Sequence, residues 1–365
     1  MTDLFDYIKW RGDLTFRQDP PNAVDGLIFS ALAYIRYAGA LELRFNAEVT
    51  LRQASEDFFS LNDHASRVRV KRDLELLKAA AGSVRFGESI LSRYMEHSSS
   101  TRETQFSAVS FFLDDGSAFL AFRGTDDTLT GWKEDFNMSF QYPVPAQRLA
   151  LTYTKAFAEE HLVPLRLGGH SKGGNLAVYA GSGVSPKVQD RILTVYNNDG
   201  PGFTEEMMTD PGYIRIVPKI RTFVPQSSVI GMLLEHEEPY TVVRSDQVSI
   251  LQHEIYSWEI IGKHFVEMEE ITADSRFLNL TIKHWVAEMD ASERNILVDT
   301  MFELLSSGEV SSALDIFQLK NIRHYLKALS ENGNMRKLFS DELKSLVAAA
   351  RKAKQEFDLA PREDI

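Results

Sequence analysis

The sequence predicts an α/β fold. A mostly parallel central sheet carries helices on both faces, and helical segments extend it at both ends. Three observations carry this expectation. Short apolar runs alternate with helix-length amphipathic runs between residues 106 and 265. A G-x-S-x-G pattern at Gly169, Ser171 and Gly173 stands between a strand-like run, 165–169, and a helix-forming run with Leu176, Val178 and Tyr179. The next strand-like run, 191–196, empties into the turn Asn197-Asn198-Asp199-Gly200-Pro201-Gly202. Strand, sharp turn and helix around an exposed serine is the context that a nucleophile elbow requires.

Taken in order, residues 1–105 read as a helical segment packed on a core. Residues 22–37 place Val24, Leu27, Ile28, Ala31, Leu32 and Ile35 at helical spacing. Asn22 is placed to cap that helix, with Asp25 in its first turn. Residues 66–81 and 88–95 read as further helices. Residues 98–101, three serines and a threonine, read as a polar link. Residues 106–113 and 117–122 read as strands joined by Asp114-Asp115-Gly116, a hairpin signal. Residues 145–161 form the crossover helix into the elbow strand. Residues 220–224 and 240–243 are the remaining strands of a core that spans 106–265.

From 266 to 365 the pattern is helical. Phe277, Leu278, Ile282, Trp285, Val286 and Met289 make one apolar stripe, suited to core packing and open to use as a lid. Asp290 to Glu293 has capping-box spacing ahead of a helix to about Ser306, with Gly308 as its stop. Residues 317–329 and 341–352 are the last two helices.

Composition limits the function classes. The chain has 365 residues, 44% hydrophobic, enough for one large domain with an extension. A net charge of −12 argues against nucleic acid and anionic membrane surfaces, whose phosphates call for clustered Lys and Arg. Without cysteine there is no disulfide, thiol nucleophile or Cys-ligated metal. The opening residues lack a basic stretch followed by an apolar core, and no uncharged run is long enough to span a bilayer. A cytoplasmic protein of bacterial type is the expectation. The sequence leaves open whether it forms a homo-oligomer.

The chemistry expected is nucleophilic catalysis. Ser171 would be the nucleophile. The order Ser171, Asp199, His253 supplies serine, acid and base. The base takes the serine proton, and the acid holds the imidazole tautomer. Asp199 follows the C-terminal end of a strand, where α/β sheets place working groups. Asp246 and Glu235 are the fallback acids. His236 and His264 are weaker bases, and His170, beside Ser171, is expected to point elsewhere. No metal or cofactor is called for.

The run Ala121-Phe122-Arg123-Gly124-Thr125-Asp126-Asp127, with Trp132 and Asp135 after it, resembles the Ala-Phe-Arg-Gly-Thr stretch of fungal-type (class 3) triacylglycerol lipases. Together with the elbow and the Ser-acid-His order, the resemblance spans about residues 106–260. It extends to a bacterial branch described only as lipase-like, through Asn22 to Asp25, Leu32 to Tyr34, Gln252-His253 and Trp258. It implies an α/β-hydrolase fold and cleavage of an acyl ester, small or lipid, through an acyl-enzyme. By position it makes Thr125 an oxyanion donor, with the Lys172 N–H as the second. The region 223–231 lacks the carboxylate that fungal-type lipases place there, and Asp199 instead resembles the pancreatic-lipase placement. The Lys172 charge either favours an anionic substrate group or faces solvent. Amide or thioester cleavage uses the same parts. The alternative from another class is a catalytically silent scaffold that binds a partner through its helical half.

Overall fold

The computed structural model describes residues 2–38, 48–99, 104–125, 137–138, 142–289, 293, 296–300, 327, 330 and 332–359. The chain divides into two compact units, one of Met1–Asp126 with Pro145–Ile271, the other of Asp127–Val144 with Thr272–Ile365.

The first unit holds strands β1 (Val49–Thr50), β2 (Ile90–Ser99), β3 (Thr104–Phe112), β4 (Ala118–Phe122), β5 (Leu165–His170), β6 (Ile192–Asn198), β7 (Ile220–Pro225) and β8 (Tyr240–Val243). A small hairpin of β9 (Ile260–Ile261) and β10 (His264–Phe265) precedes β11 (Glu267–Met268). Among the described residues, one sheet runs in the order β1-β2-β3-β4-β5-β6-β7-β8-β11. It is antiparallel from β1 to β4, parallel from β4 to β8, and antiparallel again at β11. This is the mixed, mostly parallel α/β sheet that the alternation of runs predicts.

Its longer helices are α1 (Leu4–Arg11), α2 (Ala23–Leu32), α3 (Leu51–Ser60), α4 (Lys71–Gly82), α5 (Pro145–Glu160) and α6 (Lys172–Gly183). Side chains alternate across a strand, so β3 serves two cores. Phe111 faces α2, where Phe29 meets it at 4.9 Å and meets Phe119 of β4 at 5.0 Å. Phe106, Ser110 and Phe112 face the other way, onto Tyr153 and Phe157 of α5. Burial on both sides is why β4 reads as an unbroken apolar run and why β3 and β5 are mostly apolar or small residues. Each buried Phe contributes about 1.5–3 kcal/mol over an exposed one.

The N-terminal segment differs from its reading as helices alone. Residues 90–99, expected to start as a helix, form β2 and pair with β3. Pairing with a strand already ordered by the core outweighs local propensity, and a bulge between Ser92 and Met95, with Arg93 at φ 52°, bends the strand. Helix α2 starts as expected, with a full capping box between Asn22 and Asp25. It stops five residues short of Tyr37, in a turn where the Tyr34 N–H bonds Ala31 O at 3.0 Å.

Asp25 does more than cap. Its carboxylate receives Arg85 Nε at 2.7 Å and Nη2 at 2.6 Å, and Tyr7 Oη at 2.9 Å, all buried. Arg85 Nη1 also donates to Asp19 O at 3.0 Å. Burial, then the Asp25 charge, push the Tyr7 phenol far above its ordinary pKa.

In the second unit, α7 (Ala273–Glu288) packs along α8 (Gly333–Leu359). Phe277 meets Phe357, Trp285 Nε1 donates to Glu342, and Lys352 pairs with Glu288. The apolar stripe of residues 277–289 thus lies on a helix that has a partner within its own unit. Of the helix expected over 290–306, residues 293 and 296–300 are described and helical; of that expected over 317–329, only residue 327 is described. No helix among the described residues is long and apolar enough to cross a membrane.

The buried Arg85–Asp25 pair yields a stability prediction. Removing one partner of such a pair strands the other charge and costs about 3–5 kcal/mol. Arg85→Met is expected to lower the unfolding free energy by that amount in a denaturant titration. A loss under about 1 kcal/mol would show that water reaches Asp25.

Candidate active site

Ser171 follows the last residue of β5 and precedes the first of α6. Its backbone sits at φ 57°, ψ −136°, outside the regions an L-residue ordinarily adopts. Such a conformation costs about 1–3 kcal/mol and persists only where the surroundings impose it. Here they do. The Ser171 N–H donates to Asn198 O of β6 at 2.9 Å, and its carbonyl accepts from the Gly174 N–H at 2.9 Å. Strand and helix cross so closely that a Cβ on Gly169 would lie 2.1 Å from Gly173 C. The glycine spacing read in the sequence is therefore a steric requirement of the crossing.

The loop after β4 reaches the same place. A Cβ on Gly124 would lie 2.5 Å from His170 O and 3.2 Å from Ser171 Cβ. Thr125 is the next residue along the chain. Lys172 opens α6, where first-turn N–H groups and the positive end of the helix dipole gather. Its side chain is buried. Asp126, Asp127, Trp132 and Asp135 lie outside the described residues.

Asp199 directly follows β6 and is fully buried, with φ 52° and its N–H on Phe223 O at 2.7 Å. Its carboxylate is fully used. Oδ2 lies 2.6 Å from His253 Nδ1, while Oδ1 accepts from Ser228 Oγ at 2.5 Å and the Gly231 N–H at 3.2 Å. A carboxylate can only accept, so His253 Nδ1 carries the proton and Nε2 is left as an acceptor. Asp246 accepts from its neighbour Gln247, and the Glu235 backbone pairs with Phe203. Of the three carboxylates considered, the structure brings Asp199 to His253. The region 223–231, where fungal-type lipases keep their acid, supplies the two donors that hold Asp199.

The turn after Asp199 is braced from α6. Asn175 Nδ2 donates to Pro201 O at 3.1 Å and Gly202 O at 2.9 Å, and Gln147 Nε2 fixes the Asn175 carbonyl at 2.9 Å. Gln252 braces the base loop. It accepts from the Ser227 N–H at 2.7 Å, donates to Gln247 O at 2.8 Å, and its own carbonyl accepts Trp258 Nε1 at 2.9 Å.

Ser171 and His253 are linked through His170 rather than directly. Among the described residues no hydrogen bond joins Ser171 Oγ to the His253 ring. His170 Nε2 lies 2.9 Å from His253 O, and the two rings sit 4.4 Å apart. Such bonds between nucleophile and base are often long before substrate binds. His236 is held by Glu238 and Gly231 O, and His264 is exposed on the β9–β10 hairpin, so neither joins the site.

Sequence reasoning missed Tyr34, Arg69, Ser228 and Gly231. Tyr34 Oη lies 2.9 Å from His170 Nδ1. Arg69 stacks over the Tyr34 ring at 4.8 Å and grips Glu254, beside the base, with two bonds of 2.8 and 2.9 Å. Arg69, Ser228 and Gly231 lie in no motif that assigns them a role, and Tyr34 stands in a stretch that carries the resemblance without giving it one.

Burial, and then the positive charge available on His253 and carried by Arg69, hold His170 well below the ordinary imidazole pKa. The unfolded chain binds a proton near pH 6.5 that the folded chain refuses. This contribution is therefore complete above about pH 6.5 and is lost as pH falls below it. Denaturant titrations from pH 7.5 to 5 are expected to show a shallower loss of stability in His170→Gln than in the wild type. Equal slopes would place the proton elsewhere.

The chain is similar to the crystal structure of M37 lipase, at 14% identity and a TM-score of 0.37, over 65% of this chain and 82% of that one. It is similar to the native propeptide complex of Rhizomucor miehei lipase, at 11% identity and a TM-score of 0.36, over 65% of this chain and 79% of that one. No curated protein sequence matches it. The Mbeg1-like family matches over residues 80–303, more than half of the chain and the part that holds β3 to β8, the serine turn and the histidine loop. The chain belongs to the Mbeg1-like family, a lipase-like family.

Proposed function

We propose that this chain is a serine hydrolase that cleaves carboxylic acyl esters through an acyl-enzyme on Ser171. The observation that carries the reading is the Asp199–His253 bond of 2.6 Å, made on the loop next to a serine in a forced backbone conformation. A turn aspartate or a solvent-facing histidine would need neither feature.

The reaction follows from the groups in place. Substrate brings its carbonyl carbon to Ser171 Oγ. His253 Nε2, the free acceptor of its ring, takes the serine proton as the new C–O bond forms. The Asp199 carboxylate holds the imidazolium that results. The oxyanion meets the backbone N–H groups of Thr125 and Lys172, the second at a helix N-terminus. His253 then returns the proton to the departing alcohol oxygen, and the C–O bond to the alcohol breaks. Water, activated by the same ring, releases the acid. A partner-binding scaffold without catalysis would leave the strained serine unexplained.

Turnover of p-nitrophenyl acyl esters tests the roles. Replacing a triad acid by its amide costs about 10⁴ in kcat in other serine hydrolases, since the wrong tautomer forms. Asp199→Asn is expected to fall by a similar factor, while Asp246→Asn keeps turnover within about two-fold. The reverse pattern would move the acid to Asp246. Wild-type turnover that survives Ser171→Ala would remove the reaction from this site.

A further inference from the structure

Two groups behind the base are buried, polar and unused by the reaction above. His170 is the last residue of β5, one position before Ser171. Its ring is enclosed, with Nε2 2.9 Å from the His253 carbonyl and Nδ1 2.9 Å from Tyr34 Oη. The geometry assigns the ring protons. A carbonyl only accepts, so Nε2 carries the hydrogen. Nδ1 of the neutral ring is then an acceptor, and the Tyr34 hydroxyl donates to it. We propose that Tyr34 and His170 are positioning residues for the general base: the pair fixes the His253 backbone to the strand that carries the nucleophile. The proposal rests on the serine-hydrolase reading.

Three features point this way. First, His170 and Ser171 are adjacent, so a bond from His170 to His253 O sets the separation of nucleophile and base without touching either reacting atom. Second, both sides of the base are held from the N-terminal segment. Tyr34 acts through His170 on the carbonyl of residue 253, and Arg69 grips the Glu254 carboxylate with two bonds while lying over the Tyr34 ring. Third, the charge is right. Acyl transfer places a positive charge on His253, whose ring centre is 4.4 Å from that of His170. A neutral His170 lets that charge form, and the buried setting keeps it neutral.

Displacing a reacting group by about 1 Å can cost about 10² in rate. The test uses the full chain with p-nitrophenyl butyrate, and turnover is divided by the sites that a fluorophosphonate titrates at completion. His170→Leu removes the bond to His253 O and is expected to lower kcat per site about ten- to a hundred-fold, with KM within about two-fold. His170→Gln can place an N–H where Nε2 stood and is expected to recover most of that loss. Tyr34→Phe deletes one oxygen and is expected to lower kcat about three- to ten-fold. It carries the test if His170→Leu does not fold. Wild-type kcat in His170→Leu or Tyr34→Phe, a loss confined to KM, or a Gln variant no better than Leu would each overturn the proposal while leaving the hydrolase reading intact. A wild type that neither turns over ester nor titrates would instead overturn the hydrolase reading, and the positioning roles with it.

Discussion

The structure turns on the backbone of one residue. Ser171 is held at φ 57° where β5 gives way to α6, and a serine does not adopt that conformation unaided. The strain of about 1–3 kcal/mol is borne by the middle of the sheet. β5 lies between β4 and β6, both parallel to it, and is buried along its length. Asn198 of β6 receives the Ser171 N–H and also returns a side-chain bond to Gly169 O at 3.0 Å. Loosening this crossing would let the serine relax into an ordinary turn and withdraw its hydroxyl from the sheet edge.

The acid and the base arrive from further along the chain, and each is tethered to the same crossing. Asp199 stands one residue past β6, its carboxylate aimed at His253 by Ser228 and Gly231. The base loop is held at several points. Gln252, Glu254, Tyr256 and Trp258 all anchor it, and Tyr256 Oη bonds Asp73 of α4 at 2.7 Å. The first hundred residues are therefore part of the site's support. They add β1 and β2 to the sheet, close one face of the core with α2, and hold the base loop through Arg69 and Asp73.

Much of this was legible in the sequence because local chemistry dictates it. Glycines at 169 and 173 announce a crossing too close for side chains. Asn22 and Asp25 announce a helix start. β3 to β8 announce themselves as short apolar runs. What was not legible depends on partners distant in the chain. Residues 90–99 carry no strand signal strong enough without β3 beside them. Tyr34 and Arg69 look like ordinary surface-capable residues until the fold sets them against His170 and Glu254. The preference for Asp199 over Asp246 came from strand order, and the fold explains the contact: β6 lies directly beside β5, so its end opens next to the serine.

The claim at the centre of this account is that the strained serine is an activated nucleophile. A fluorophosphonate that becomes covalently attached, with the modified peptide sequenced by mass spectrometry, tests it most directly. The account predicts one adduct per chain, on Ser171, formed rapidly in the wild type and at least a thousand-fold more slowly in His253→Ala, since losing a triad member slows turnover by about 10⁴–10⁶ in other serine hydrolases. An adduct on another residue, or labelling of Ser171 that does not change when His253 is removed, would contradict it.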